Sequence, residues 1–161
     1  MRVKFPALIF CTILLLAIWT GCSKSPPLEE MQPEEMYQHL RSLFERKKFL
    51  EASDGFNYFT LNYSGHALVD SAQYFIGASH FIMKEYLISV DAFEELVRRF
   101  PNSKIVAESM YMVGKCYWEL SPKYSLDQEF TRSAIEALQS FIDYFPDHQD
   151  MVLEAQEFIS K

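Results

Sequence analysis

Apolar positions along this chain fall into helical registers. Val69, Ala72 and Ile76 keep steps of three and four, with Phe81 beyond them. After a polar break near Lys84, Val90, Phe93, Leu96 and Val97 resume the pattern. Such spacing lines one face of a helix. Strand-like alternation is absent from these stretches, so the pattern predicts helices near 34–46, 49–62, 67–83, 86–99, 104–119, 129–145 and 149–160. Pro33, Glu34 and Glu35 suit the first turn of the first helix. Proline disfavours helix in the residue before it, so Phe100-Pro101 ends another, after which Asn102 or Ser103 is placed to cap the next. Ser125, Leu126, Asp127 and Gln128 read as a capping box opening the helix that follows.

The registers themselves repeat. A shift of 37 residues lays Tyr37 on Tyr74 and Tyr111, Phe44 on Phe81 and Trp118, and Leu40 on Gly77 and Gly114. The stretch from Phe93 to Pro101 recurs from Leu138 to Pro146 at a shift of 45, so the third unit carries eight extra residues, at 121–128. A fixed period of this length is the mark of stacked helical hairpins. Glycines at 77 and 114, small residues at Ala52, Ser89 and Ala134, and the closing Pro101 and Pro146 resemble the tetratricopeptide repeat. The first unit departs from that pattern, with Leu40 at the glycine position and Ser64 at the proline. The expected fold is therefore all-α: a tetratricopeptide-like superhelix of about three hairpins (33–66, 67–104, 105–148) and a partial fourth unit at 149–161.

The first 32 residues read differently. Arg2 and Lys4 precede an uncharged, mostly apolar run over residues 5–19, and Thr20-Gly21-Cys22 closes it before polar Ser23 and Lys24. Fifteen residues fall short of the roughly twenty that span a bilayer as a helix. The arrangement is that of a secretory signal over residues 1–21. Cys22 resembles the lipid-accepting cysteine of the bacterial lipobox, although Trp19 stands where that motif usually has leucine. The resemblance implies a diacylglyceryl and N-acyl lipid on Cys22, and residues 22–32, rich in proline, read as a tether. Further acyl chains turn marginal membrane binding into stable anchoring. Ser23 after the cysteine, in that family of signals, implies transfer to the outer membrane.

Composition narrows the function. The chain has a formal charge of −7, and removal of Arg2 and Lys4 leaves 13 basic against 22 acidic residues. That sign opposes nucleic-acid binding. With Cys11 in the signal and Cys22 lipidated, Cys116 is alone and reads as a core thiol. His39, His66, His80 and His148 are scattered without metal-ligand spacing, and phosphate loops, nucleophile elbows and Cys-x-x-Cys pairs are absent. The sequence gives no cofactor and no enzyme.

In the third unit, Met110, Tyr111, Met112, Val113 and Gly114 lead through Trp118 to Ser121 and Pro122, then Leu126, Asp127, Gln128, Thr131, Ala134, Ile135 and Phe141. This run resembles the BamD family, lipoprotein subunits of the machinery that assembles β-barrels into the outer membrane. The resemblance implies a non-catalytic scaffold, lipid-anchored at the outer membrane and facing the periplasm, with a BamA-like barrel subunit and nascent outer-membrane proteins as partners. A different tetratricopeptide lipoprotein, acting as a periplasmic envelope adaptor, is the other reading. Tyr37, Phe44, Tyr74, Phe81, Tyr111 and Trp118, with Arg41 and Lys115 beside them, are the candidate peptide groove: a stacked aromatic ladder able to receive an extended chain end. The same spacing also fits core packing between repeats. The inserted stretch with Ser121, Pro122, Asp127 and Gln128 is either a partner loop or a solvated connector.

Overall fold

A computed structural model describes residues 27–121 and 128–160. Residues 28–30 form a single 3₁₀ turn, which belongs to a separate unit ending at Glu30. The unit from Met31 onward holds seven helices among the described residues: α1 (Pro33–Glu45), α2 (Phe49–Asn62), α3 (Val69–Ile82), α4 (Tyr86–Arg99), α5 (Val106–Leu120), α6 (Glu129–Tyr144) and α7 (Gln149–Ile159). Each packs mainly on its neighbours in sequence, and the first helices of successive hairpins also meet, α1 on α3 and α5 on α7. The fold is an all-α, tetratricopeptide-like stack of three hairpins and a final helix.

The second helix of each hairpin supplies a core stripe at positions that recur from one repeat to the next. Ala52, Phe56 and Phe59 on α2, with Ala134, Leu138 and Phe141 on α6, are fully buried, as are Ser89, Phe93 and Leu96 on α4. Their steps of four and three keep them on one face. Cys116 is fully buried too, in a cluster with Val90, Phe93 and Val113. Its thiol meets the Ser89 hydroxyl at 3.2 Å, and burial pushes its pKa up to about 11. It is a core residue, as the sequence implies.

Turns repeat as well, between the helices of the first two hairpins and at the ends of the second helices. The turn after α1 closes with Lys48 N donating to Leu43 O and Lys47 N to Phe44 O, and the turn after α3 closes with Glu85 N to His80 O and Lys84 N to Phe81 O. This is the Schellman arrangement, which puts one residue in the left-handed region, usually glycine. Here the residues are lysines, Lys47 at φ 62° and Lys84 at φ 63°. At the other edge, Tyr63, Phe100 and Phe145 end α2, α4 and α6 with nearly the same backbone angles and donate to the carbonyls of Phe59, Leu96 and Phe141. Tyr63 does so before Ser64 rather than proline, so the backbone turn does not depend on that residue.

Helix starts correct the capping expectations. Neither Asn102 nor Ser103 caps α5; its cap position is Ile105. A backbone turn intervenes, Ser103 N to Phe100 O and Val106 N to Ser103 O, matched one repeat earlier by His66 N to Tyr63 O and Val69 N to His66 O. These two extra turns delay α3 and α5 by two residues from the predicted starts. Ser103 instead donates to Asp70 at 2.6 Å and accepts from Ile105 N. At α6, which starts at Glu129, Gln128 holds the cap position without a side-chain capping bond, and Ser125, Leu126 and Asp127 of the expected box lie outside the described residues.

Candidate functional site

Six aromatic side chains were candidates for one groove, and the fold divides them. Tyr37 and Tyr111 are 5% exposed and belong to the core. Tyr37 packs against Phe56, Phe59 and Phe75, and Tyr111 against Phe141. Phe44, Tyr74, Phe81 and Trp118 are half-buried. Phe44 meets Phe49 and Phe75, Phe81 meets Tyr86, Trp118 meets Phe158, and Tyr74 meets Phe75 and Phe93. Among the described residues no ring pair joins two of the six. The expected stacked ladder is thus corrected: seven-residue spacing puts the rings on one side of each helix, but each ring packs against rings outside the set rather than against the next one.

Phe75 is the ring that the repeat pattern could not reveal. It touches Tyr37, Phe44, Phe56 and Tyr74, and the Arg41 guanidinium lies 4.6 Å over its centroid. Gln38 and Met112 hold its place in the flanking repeats, so no periodic signal marks it. Arg41 also pairs with Glu45 at 3.3 Å. Lys115 pairs with Glu154 on α7 at 3.1 Å and sits over the Tyr111 ring. Both cations considered as carboxylate receivers therefore already hold carboxylates of this chain.

Hydroxyl–carboxylate contacts join successive hairpins along the same side. Tyr74 donates to Glu108 at 2.5 Å, and Tyr86 to Glu119 at 3.4 Å. Burial first, and the Glu108 carboxylate second, raise the Tyr74 pKa, so the phenol stays a donor. The Tyr111 hydroxyl is buried without a hydrogen bond of full geometry, close to Glu154. That hydroxyl and then Lys115 hold Glu154 below the usual carboxylate range. Near the start of the stack, His66 meets Glu34 at 2.9 Å, and this contact lowers the Glu34 pKa.

On another side, α4 and α6 flank α5 around a cleft of about 360 Å³ lined by Glu94, Val97, Arg98, Met110, Val113, Ala137 and Ser140. Its lining is mainly apolar, and Glu94 and Arg98 form a 3.6 Å ion pair on α4. Three helices from two hairpins build it, which is why periodicity within one hairpin does not show it. Of the inserted stretch, Ser121 closes α5, its hydroxyl donating to Tyr117 O at 3.0 Å, and Gln128 is exposed before α6. Pro122 and Asp127 lie outside the described residues, as does Cys22 with its expected lipid.

This architecture matches known proteins. Residues 29–156 fit the family model of YfiO, outer membrane lipoprotein. The chain belongs to that family. Such membership associates it with the outer membrane. It is similar to the outer membrane protein assembly factor BamD of Helicobacter pylori, 25% identical over 150 residues that cover 91% of this chain and 68% of the relative. Among solved structures, it resembles a Podosopora anserina protein assigned as a kinesin light chain of nearly identical TPR-like repeats, with a TM-score of 0.59 at 11% identity, covering 95% of this chain and 73% of that one. The latter likeness is one of fold.

Proposed function

We propose that this protein is a non-catalytic scaffold of the outer-membrane β-barrel assembly machinery, held at the membrane by lipid on Cys22 and facing the periplasm. The observation that carries the reading is the family match over residues 29–156, which spans the whole hairpin stack rather than one repeat. Its partners are a BamA-like barrel subunit, unfolded barrel proteins, or both. The half-buried Phe44, Tyr74, Phe81 and Trp118 are the part of the first-helix surface left to meet them, with Arg41 and Lys115 reachable once Glu45 or Glu154 is displaced. Aromatic side chains give large contact area at small entropic cost.

The test is crosslinking in the native envelope followed by pull-down of the lipidated protein. Recovery of the barrel-assembly subunit or of unfolded barrel chains is the expected result, and recovery of neither sinks the proposal. A Phe44→Ala, Phe81→Ala variant that keeps its helical circular dichroism is expected to lose about tenfold in peptide affinity, roughly 1.4 kcal/mol. Unchanged affinity in that variant removes these rings from the site.

A further inference from the structure

The turns that join first to second helices share a feature the scaffold reading leaves unused. Those of the first and second hairpins are built to one plan at a 37-residue spacing. A ring near the end of the first helix, Phe44 or Phe81, packs edge-on against a ring that opens the second, Phe49 or Tyr86. Between them stands a lysine in the left-handed conformation, Lys47 or Lys84, exposed at the tip. Immediately after, an aliphatic side chain faces solvent: Leu50 is 61% exposed and Leu87 53%, joined by Ile82 at 46% and Ile88 at 51%. Helices α1 and α3 pack together through Phe75 as equivalent members of successive hairpins, so their two turns project from the same edge.

Around these two turns cations slightly outnumber acids, Arg41, Arg46, Lys47, Lys48 and Lys84 against Glu45, Glu51, Glu85 and Glu119. The acids lie at the surface beside partners of this chain, Glu45 with Arg41, Glu51 with Lys48, Glu85 with His80 and Glu119 with Tyr86. Arg46 bonds only a backbone carbonyl, and Lys47 and Lys84 extend from the turn tips. A protein of formal charge −7 thus presents, on one edge, outward cations interleaved with exposed aliphatic side chains. Cations beside aliphatic groups are the chemistry of an interfacial lipid contact, in which apolar side chains enter the headgroup boundary and lysines reach phosphates.

We propose that the edge carrying Lys47, Leu50, Ile82, Lys84, Leu87 and Ile88 docks on an anionic bilayer surface. Membership of an outer-membrane lipoprotein family supplies the surface, and the edge contact adds a second point of attachment that sets how the stack lies on it. The inference rests on the membrane anchoring in the proposed function but not on barrel assembly.

The test uses purified lipidated protein carrying Leu87→Trp, reconstituted in vesicles of phosphatidylcholine and phosphatidylglycerol with brominated acyl chains. Leu61→Trp, at the other end of α2 and 80% exposed in the parent, is the control. The expected result is roughly twofold or greater quenching at position 87 over position 61, lost in vesicles of phosphatidylcholine alone and in a folded Lys47→Gln, Lys84→Gln variant. Equal quenching at both positions, none at position 87, or indifference to anionic lipid overturns the proposal. So does a position 87 that stays unquenched on vesicles yet becomes shielded when assembly subunits are added, since a protein then covers the edge. The intact mass reports separately whether Cys22 is lipidated, so loss of the anchor and loss of the edge contact are distinguishable.

Discussion

The first hairpin and the two that follow solve one packing problem in opposite ways. In the second and third, the first helix carries the glycine and the second helix the large side chain: a Cβ on Gly77 would lie 2.8 Å from the Phe93 ring, and one on Gly114 2.5 Å from Leu138. In the first, Leu40 occupies the glycine position and the glycine has moved to the second helix, where a Cβ on Gly55 would run into Leu40 Cδ2. Leu40, Phe93 and Leu138 are all fully buried. Close approach of two helices thus demands one small residue per crossing, but not on a particular helix. The departure of the first unit from the repeat pattern is a compensated inversion.

The largest effect expected from breaking this arrangement is at the knobs. Phe93→Ala should cost about 3–5 kcal/mol and Leu40→Ala about 2–5 kcal/mol, because each empties a buried crossing. Urea denaturation measures both, and a loss under 1 kcal/mol at either would mean the crossing collapses to fill the space. Filling the holes comes next. Gly77→Ala, Gly114→Ala and Gly55→Ala should each cost about 1–3 kcal/mol through overpacking. The inversion is sharpened by a double-mutant cycle: Gly55→Ala should cost markedly less in a Leu40→Ala background, whereas Leu40→Ala should leave the cost of Gly77→Ala unchanged.

The turns of the first two hairpins, by contrast, should respond alike and with the opposite sign. Lys47→Gly and Lys84→Gly each relieve a left-handed backbone and should stabilise by about 0.5–1 kcal/mol. Thermal melts that show destabilisation at both positions would mean these lysines make a contact worth more than the strain. The smallest effect is expected at the other end of the stack. Since the folded state lowers the Glu154 pKa below its unfolded value near 4.5, the carboxylate's contribution is present above that value and lost as pH falls through the lower folded one. Hydrogen exchange between pH 6 and 3 should therefore show α7 loosening before α2, and a Glu154→Gln variant should lose that difference. An α7 that keeps its relative protection at pH 3 contradicts this assignment.

How much of this was legible without coordinates differs by residue. The buried stripe of the second helices follows from steps of three and four alone, since a helix has one geometry and an apolar stripe must be covered. The turn near Lys84 and the ends at Phe100 and Phe145 follow from breaks in register and from proline. Helix starts were less legible, because backbone turns at residues 63–69 and 100–106 do the capping that serine and asparagine side chains suggested. The candidate groove was legible as a set of positions on three helices, but not as a surface. Tyr37 and Tyr111 are buried and Phe44 and Phe81 half-exposed because of what the next helix presents, and that is a property of pairs of elements.

The amino-acid order by itself determined an all-α stack, its 37-residue period and the positions where helices must cross closely. Those are consequences of local periodicity and side-chain volume, which every residue carries wherever it sits. Only the tertiary structure decided that Gly55 is the small partner of Leu40, which rings face outward, where Arg41 and Lys115 find their carboxylates, and that two lysine-tipped turns share an edge. Each of these depends on distances between residues far apart in the chain, and those distances exist only once the hairpins have packed.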